Sequence, residues 1–367
     1  MQQSHDVRLA DYTTLRVGGA ARDFVDVDTD DDLIAVVGDA DSSGVDVLML
    51  GGGSNVVIGD EGFAGCVVHV NTTGSQFERS DDDRVDVTAA AGVPWDDVVA
   101  RCVGDGLSGI ETLSGIPGSV GATPIQNIGA YGREIADVIT GVRAFDRRDR
   151  QIVRLEPQEC GFGYRTSRFK SAPDRHVVLS VSMRLSKSRA SAAIRYAELA
   201  TRLGVEIGAS VSTSAVRDAV LELRRGKGMV LDEFDHDTWS VGSFFTNPVL
   251  DASTVADLPD QAPRWLMSDG RFKTSAAWLI EAAGFDRGFS LATGGAGTAG
   301  TTRAAGTTGA PGTTGAAVST KHTLALVNRG QASTRDVLEL ARVIRDGVSD
   351  RFGVRLDPEP TLVGCSL

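Results

Sequence analysis

Apolar and polar positions change their period several times along the chain, and each change marks an element. Thr29-Asp30-Asp31-Asp32 precedes apolar Leu33, Ile34, Val36 and Val37, and Gly44 follows. A hydroxyl N-cap, acidic residues in the first turn and a closing glycine predict a helix there. Residues 45–50 form a strand-like run that enters Gly51-Gly52-Gly53-Ser54-Asn55, and Val56-Val57-Ile58 resumes as a strand. This order, strand, glycine turn, strand, excludes the Rossmann fingerprint, which needs a helix and a further glycine after the turn. A Walker loop is excluded too, because Gly226-Lys227 is followed by Gly228 and not by Ser or Thr.

Over 72–187 strands alternate with glycine loops. Pro94 suits the first position of a helix over 95–103 that ends at Gly104. From 104 to 132 there are eight glycines in 29 residues, together with Pro117 and Pro124. That density predicts a backbone folded tightly around itself or around a ligand. Two helices are expected near 192–203 and 214–225, followed by a basic turn and the run Val241-Gly242-Ser243-Phe244-Phe245. Residues 323–327 are strand-like. Apolar Val337, Leu340, Ala341, Ile344, Val348 and Phe352 predict a long amphipathic helix from Ser333 or Thr334, stopped by Gly353. The chain closes in extended form over 354–363, around Pro358 and Pro360.

Residues 292–317 break every period. All are Ala, Gly or Thr except Arg303 and Pro311, and Thr pairs recur at 301–302, 307–308 and 313–314. Such a composition buries too little apolar area to offset the entropy of ordering, so a flexible surface insertion with neighbouring ends is expected.

Composition narrows the function. The chain has 367 residues, 41% hydrophobic and 23% charged, which suits a soluble globular protein of two or three domains. Net charge is −12, with 36 Asp against 13 Glu and 32 Arg against 5 Lys. An acidic balance argues against coating nucleic acid, and an anionic small substrate would need a local basic pocket. The first residues show no basic and apolar leader pattern, and no apolar run reaches the roughly 18 residues of a membrane span. Cys66, Cys102, Cys160 and Cys365 are scattered with no Cys-x-x-Cys pair. Neither a metal site nor a disulfide framework is implied, and a reducing cytoplasm is the expected home.

Six phrases then stand in order: Thr14-Leu15-Arg16-Val17-Gly18-Gly19; Leu50-Gly51-Gly52-Gly53-Ser54-Asn55; Leu113-Ser114-Gly115-Ile116-Pro117-Gly118-Ser119-Val120-Gly121-Ala122; Pro124-Ile125-Gln126-Asn127-Ile128-Gly129-Ala130-Tyr131-Gly132; Gly163-Tyr164-Arg165-Thr166-Ser167-Arg168-Phe169-Lys170; and Gly242-Ser243-Phe244-Phe245-Thr246-Asn247-Pro248. Together they resemble the UDP-N-acetylenolpyruvoylglucosamine reductases, the flavoenzymes of peptidoglycan precursor synthesis, over nearly the whole chain except the Ala/Gly/Thr run. The resemblance implies an α+β fold. Its FAD-binding region, of the vanillyl-alcohol-oxidase-like (PCMH) type, would span 1–187 in lobes of about 1–71 and 72–187, with a substrate-binding α+β domain over 188–367. It implies FAD held without a covalent bond and NADPH as hydride donor. Gly51, Gly52, Gly53, Ser54 and Asn55 would supply a backbone nest for the pyrophosphate. Ile116, Pro117, Gly118, Gly121, Ala122 and Ile128 would wrap the rest of the cofactor.

The implied chemistry adds a hydride to the methylene carbon of an enolpyruvyl group on a UDP-sugar. Negative charge then grows on the neighbouring carbon and its carboxylate. Arg165, after Tyr164, matches the family's charge-stabilising arginine, and a guanidinium grips a carboxylate with two parallel donors. Ser243 matches the proton donor. Glu359, five residues before Gly364, matches a C-terminal glutamate expected to be protonated in the step or to act through Arg165 and water. Pro360-Thr361 departs from the valine and arginine that often follow it. Tyr131, Tyr196, Arg224, Lys227, Asn247 and His322 fall at UDP-sugar contacts, and the spacing from Arg165 to Tyr196 matches the branch that clamps substrate with a tyrosine loop. A monomer is expected, with no nucleic-acid or membrane partner. A flavin-dependent oxidase of the same fold is the alternative.

Overall fold

The computed structural model describes residues 1–267, 269–292 and 313–367. Their contacts divide the chain into a first unit of 1–7, 21–53 and 64–230 and a second of 8–20, 54–63 and 231–367. By these contacts residues 188–230 group with the first unit.

The first unit opens with a sheet in the order Gln2–Arg8, Ala20–Val27, Phe63–Val70, Val47–Leu50, the last pair parallel. Helix α1, Asp30–Ser43, forms where the sequence predicts it: the Thr29 hydroxyl accepts the Asp32 amide, and Gly44 closes the helix with φ +65°. Its Leu33 and Val37 join Val25, Val27, Val68 and Leu179 in one core. A larger antiparallel sheet runs in the order Gln151–Leu155, Ile139–Asp146, His176–Lys187, Arg84–Ala90, Ser75–Arg79. Helix α2, Trp95–Gly104, adds Trp95, Val98, Val99 and Cys102 to the core under this sheet. Pro94 stands at its N-cap, one position earlier than expected.

Helices α3, Ala197–Leu203, and α4, Thr213–Gly226, complete the unit. The helix expected near 192–203 loses its first turn, because its amides have partners outside any helix. Ser191 N donates to Val211 O at 2.6 Å, Ile194 N to Ala209 O at 2.9 Å, and Ala192 N to the Glu111 carboxylate at 3.2 Å. Leu199 and Ala200 of α3 pack on Val216, Ala219 and Val220 of α4, and Arg217 grips Asp96 of α2 through two 2.7 Å bonds. This packing assigns 188–230 to the first unit.

The second unit is built on a sheet in the order Ser240–Ser243, Ala325–Asn328, Thr313–Val318, Ser290–Ala292. Helix α5, Ala276–Ala282, and helix α6, Thr334–Phe352, complete its core, and Val337, Leu340, Ala341, Ile344 and Val348 of α6 pack with Ala316, Val318 and Leu326 of the sheet. Ser333 and Asp336 form a capping box at the start of α6, and Gly353 ends it in the left-handed conformation. Residues 8–20 are sewn to the sheet: Thr14 Oγ1 donates to Ser240 O at 2.6 Å, and Asn328 Nδ2 donates to Leu15 O and Arg16 O at 3.2 and 3.1 Å.

The Ala/Gly/Thr run is corrected at its C-terminal end. Residues 293–312 lie outside the described residues, but Thr313–Val318 is a strand, with Ala316 and Ala317 buried. Its partners supply the ladder that its composition does not predict, and a Cβ on Gly315 would lie 2.4 Å from Ala332 N. Thr313 pairs with Ala292, so the two ends of the run are neighbours, as loop closure predicts.

One turn requires glycine on two counts. Gly62 has φ +77°, and a Cβ there would lie 1.9 Å from Ala20 O. Gly44 has φ +65° with open space around it. We expect Gly62→Ala to lower stability by about 2–5 kcal/mol, combining left-handed strain with a backbone clash. Gly44→Ala should lose only the strain, about 1–2 kcal/mol. Urea melts with equal slopes check this, and equal losses at the two sites would overturn the clash.

Candidate active site

Two glycine phrases meet in the first unit. A Cβ on Gly51 would lie 2.3 Å from Ser119 Oγ, and one on Gly52 would lie 2.9 Å from Gly118 Cα. At Gly52 and Gly118 the two loops therefore touch backbone to backbone, an approach any side chain would block, while Gly51 meets the Ser119 hydroxyl. Gly53 adds φ +58°. Among the described residues, no group accepts a hydrogen bond from the Gly52 or Gly53 amide. Adjacent unengaged donors of this kind suit an anionic pyrophosphate. The amides of Gly121 and Ala122, in contrast, donate to Ala91 O and Ser119 O at 2.8 and 3.1 Å, so those residues shape the loop from inside. Ile116 and Ile128 pack on the unit's main core. Ser54 and Asn55 belong to the second unit, where Asn55 O accepts the Thr361 amide at 3.0 Å.

The same unit gathers a group of cations around two tyrosines. Tyr131 and Tyr196 meet edge to face with ring centroids 5.5 Å apart, and Lys227 Nζ lies 5.8 Å from the Tyr131 ring centre. Lys227 is held by Glu198 of α3 at 2.6 Å. Arg224, in the last turn of α4, donates to Met229 O at 2.9 Å, while its enclosed Nε has no hydrogen-bond partner among the described residues. Burial, with a further push from the Arg165 charge, lowers the pKa of Arg224 against the pull of Tyr131 and Asp96. Guanidinium still stays protonated. Burial pushes the Tyr131 phenol up to about 12 and raises Tyr196 as well, so both are neutral hydrogen-bonding groups at ordinary pH. Arg165 completes the group: its guanidinium donates to Gly129 O at 2.8 Å and Asn127 O at 3.4 Å. Five of the predicted residues, distant in sequence, are thus brought into one neighbourhood.

In the second unit, Ser243 ends the strand Ser240–Ser243 opposite Ala325, after a bulge at Gly242 with φ +75°. Phe244 N donates to Leu324 O and Phe244 O accepts the Glu359 amide, both at 2.8 Å. Ser243 and Glu359 therefore stand on adjoining backbones. Asn247 Oδ1 accepts the Ala276 amide at 3.0 Å, so its carbonyl end is engaged at the start of α5. His322 sits in the turn before Ala325–Asn328, and its amide donates to Ser319 Oγ at 3.3 Å.

Sequence reasoning missed three carboxylates that hold these pieces. Asp96 accepts the Gly115 amide at 2.6 Å as well as Arg217; burial opposes its ionisation, but these partners outweigh burial and keep its carboxyl below the usual range. Buried Glu111 bridges the amides of Gly109 and Ala192. Buried Asp237 receives Ser319 Oγ and Thr320 N, both at 2.8 Å, and pins the turn that carries His322. None lies in a glycine phrase, and an acidic residue in a chain with 49 of them gives no signal by itself.

Comparison with known proteins agrees with this arrangement. Residues 22–156 match the family model of an FAD binding domain, and residues 302–363 match that of the UDP-N-acetylenolpyruvoylglucosamine reductase C-terminal domain. The UDP-N-acetylenolpyruvoylglucosamine reductase of Cutibacterium acnes is 51% identical over 362 residues, covering 99% of this chain and 90% of that one. The reductase of Thermobifida fusca is 50% identical over 374 residues, covering 99% of both chains. A crystal structure of the UDP-N-acetylenolpyruvylglucosamine reductase from Thermus caldophilus shares the fold, with a TM-score of 0.61 at 24% identity over 99% of this chain and 98% of that one. The α+β architecture with an FAD-binding region ahead of a distinct C-terminal domain is thereby established. Sharing about half its residues with such proteins along nearly its full length, the chain belongs to the UDP-N-acetylenolpyruvoylglucosamine reductase family.

Proposed function

We propose that this chain reduces the enolpyruvyl ether of UDP-N-acetylglucosamine to the lactyl ether of UDP-N-acetylmuramate, using bound FAD and NADPH. The observation that carries the reading is the group of Arg165, Arg224 and Lys227 around Tyr131 and Tyr196, in a protein whose net charge is −12. Local cations in an acidic chain suit a substrate with a diphosphate and a carboxylate.

Gly52 and Gly53 would hold the FAD pyrophosphate through their amides, with Gly51, Ser54, Asn55, Ile116, Pro117, Gly118, Gly121, Ala122 and Ile128 around the cofactor. No His or Cys lies among residues 51–55, which fits non-covalent binding. Bound there, FAD would supply the hydride chemistry that links NADPH to the methylene carbon of the enolpyruvyl group. Arg165 grips the substrate carboxylate and stabilises the charge that grows there, commonly the largest single catalytic effect. Ser243 donates the proton to the neighbouring carbon; being neutral, it brings no charge into a dry pocket. Glu359 acts as a neutral acid in the step or through Arg165 and water, because an ionised carboxylate against the enediolate-like species would repel it. Arg224 and Lys227 bind the diphosphate, with Tyr131 and Tyr196 as neutral walls and Asn247 and His322 as further contacts.

Among the described residues, no helix is long and apolar enough to cross a membrane. We take the enzyme to be a cytoplasmic monomer, which predicts elution near 38.5 kDa.

Replacing Arg224 and Lys227 together by Ala should raise KM for the UDP-sugar about ten- to hundredfold, on the scale of one charged hydrogen bond. Flavin content should stay normal, and the parent's binding should weaken with salt. Unchanged affinity in low and moderate salt would leave the cluster as a helix end only.

Ser243→Ala should bleach with NADPH near the parent rate, because that half-reaction needs no proton at carbon. Reoxidation by the enolpyruvyl substrate should slow by roughly 10²–10⁴-fold, the usual worth of a positioned acid. Ser243→Cys should recover part of it. Anaerobic stopped-flow absorbance separates the halves, and a defect confined to the NADPH step would move the proton donor elsewhere. Oxygen consumption with simple alcohols would favour an oxidase.

A further inference from the structure

Six non-glycine residues among those described have positive φ, and Asn127 (+49°), Tyr131 (+50°) and Arg165 (+53°) all lie in the site of the first unit. Left-handed backbone disfavours an arginine or a tyrosine, so the surroundings must impose it. Arg165 stands at the tip of a turn closed by Gly163 and Thr166, which exchange bonds of 3.1 and 3.3 Å. Asn127 is 1% exposed and carries one of the few side chains that tolerate φ > 0. Its Nδ2 donates to Glu134 Oε2 at 2.7 Å and to Gly163 O at 3.1 Å, and its Oδ1 accepts the Ala136 amide at 3.1 Å. Both amide hydrogens and the oxygen are therefore engaged. Its backbone carbonyl accepts from the Arg165 guanidinium.

We infer that Asn127 is a positioning residue for Arg165: its amide joins the 127–131 loop, which carries Tyr131, to the 163–166 turn, which carries Arg165, as one rigid piece. Glu134 is the anchor that orients the amide. The inference rests on the reading that Arg165 contacts the substrate carboxylate. Asn at this site is chemically specific. An aspartate has the same shape but no donors, and would set a carboxylate against both Glu134 and the Gly163 carbonyl. A glycine would keep the backbone conformation, including the carbonyl that accepts from Arg165, and lose every side-chain tie.

The test measures substrate-driven flavin reoxidation in the FAD-loaded full chain. Asn127→Asp should slow it about 10- to 100-fold. Adding Glu134→Gln, which reverses donor and acceptor across the pair, should recover part of that loss. Asn127→Gly, free of backbone strain, should show the same loss and carries the test if the Asp variant fails to hold FAD. In an Arg165→Ala background, either Asn127 change should slow the rate no more than about twofold, since partners in one network are not additive. An undiminished effect in that background, or a parent-like rate in both single variants, would overturn the inference. A parent-like rate for Arg165→Ala would instead overturn the reading of Arg165 on which it rests.

Discussion

The first unit depends on one steric constraint: two loops distant in sequence meet backbone against backbone. Gly52 faces the Gly118 backbone with no room for a Cβ, and Gly51 faces the Ser119 hydroxyl. Around this contact the unit is reinforced through Asp96, which ties Gly115 to α4, and through Val93 and Ala91, whose carbonyls take the amides of Val120 and Gly121 at 2.9 and 2.8 Å. A glycine phrase here is an architectural contact before it is a binding site.

A second constraint is electrostatic. Enclosing Arg224 disfavours its charge: burial pushes its pKa down, Arg165 adds a smaller push, and Tyr131 and Asp96 pull the other way. The Glu198–Lys227 pair is partly exposed and contributes little stability by itself. Its effect is to hold the ammonium beside the Tyr131 ring.

Local rules accounted for much of the fold. Thr29 caps α1, Gly44 and Gly353 end their helices, and Ser333 starts α6. These depend on a few neighbouring residues, so the chain displays them directly. Failures came where distant partners decided. Residues 191–194 stay outside the helix because Val211, Ala209 and Glu111 accept their amides, and Thr313–Val318 became a strand because the sheet beside it offered a ladder.

By itself the sequence determined the family likeness, the ordered glycine phrases and the identities of the candidate site residues, because these are matters of ordered motifs and side-chain chemistry. Only the tertiary structure decided that residues 188–230 fold with the first unit, that Arg165, Tyr131 and Arg224 share one neighbourhood, and that Asn127, Asp96 and Asp237 hold the pieces in place. The reason is the same in each case. A buried polar group must find partners wherever the fold brings them, and those partners lie tens of residues away, where no local pattern announces them.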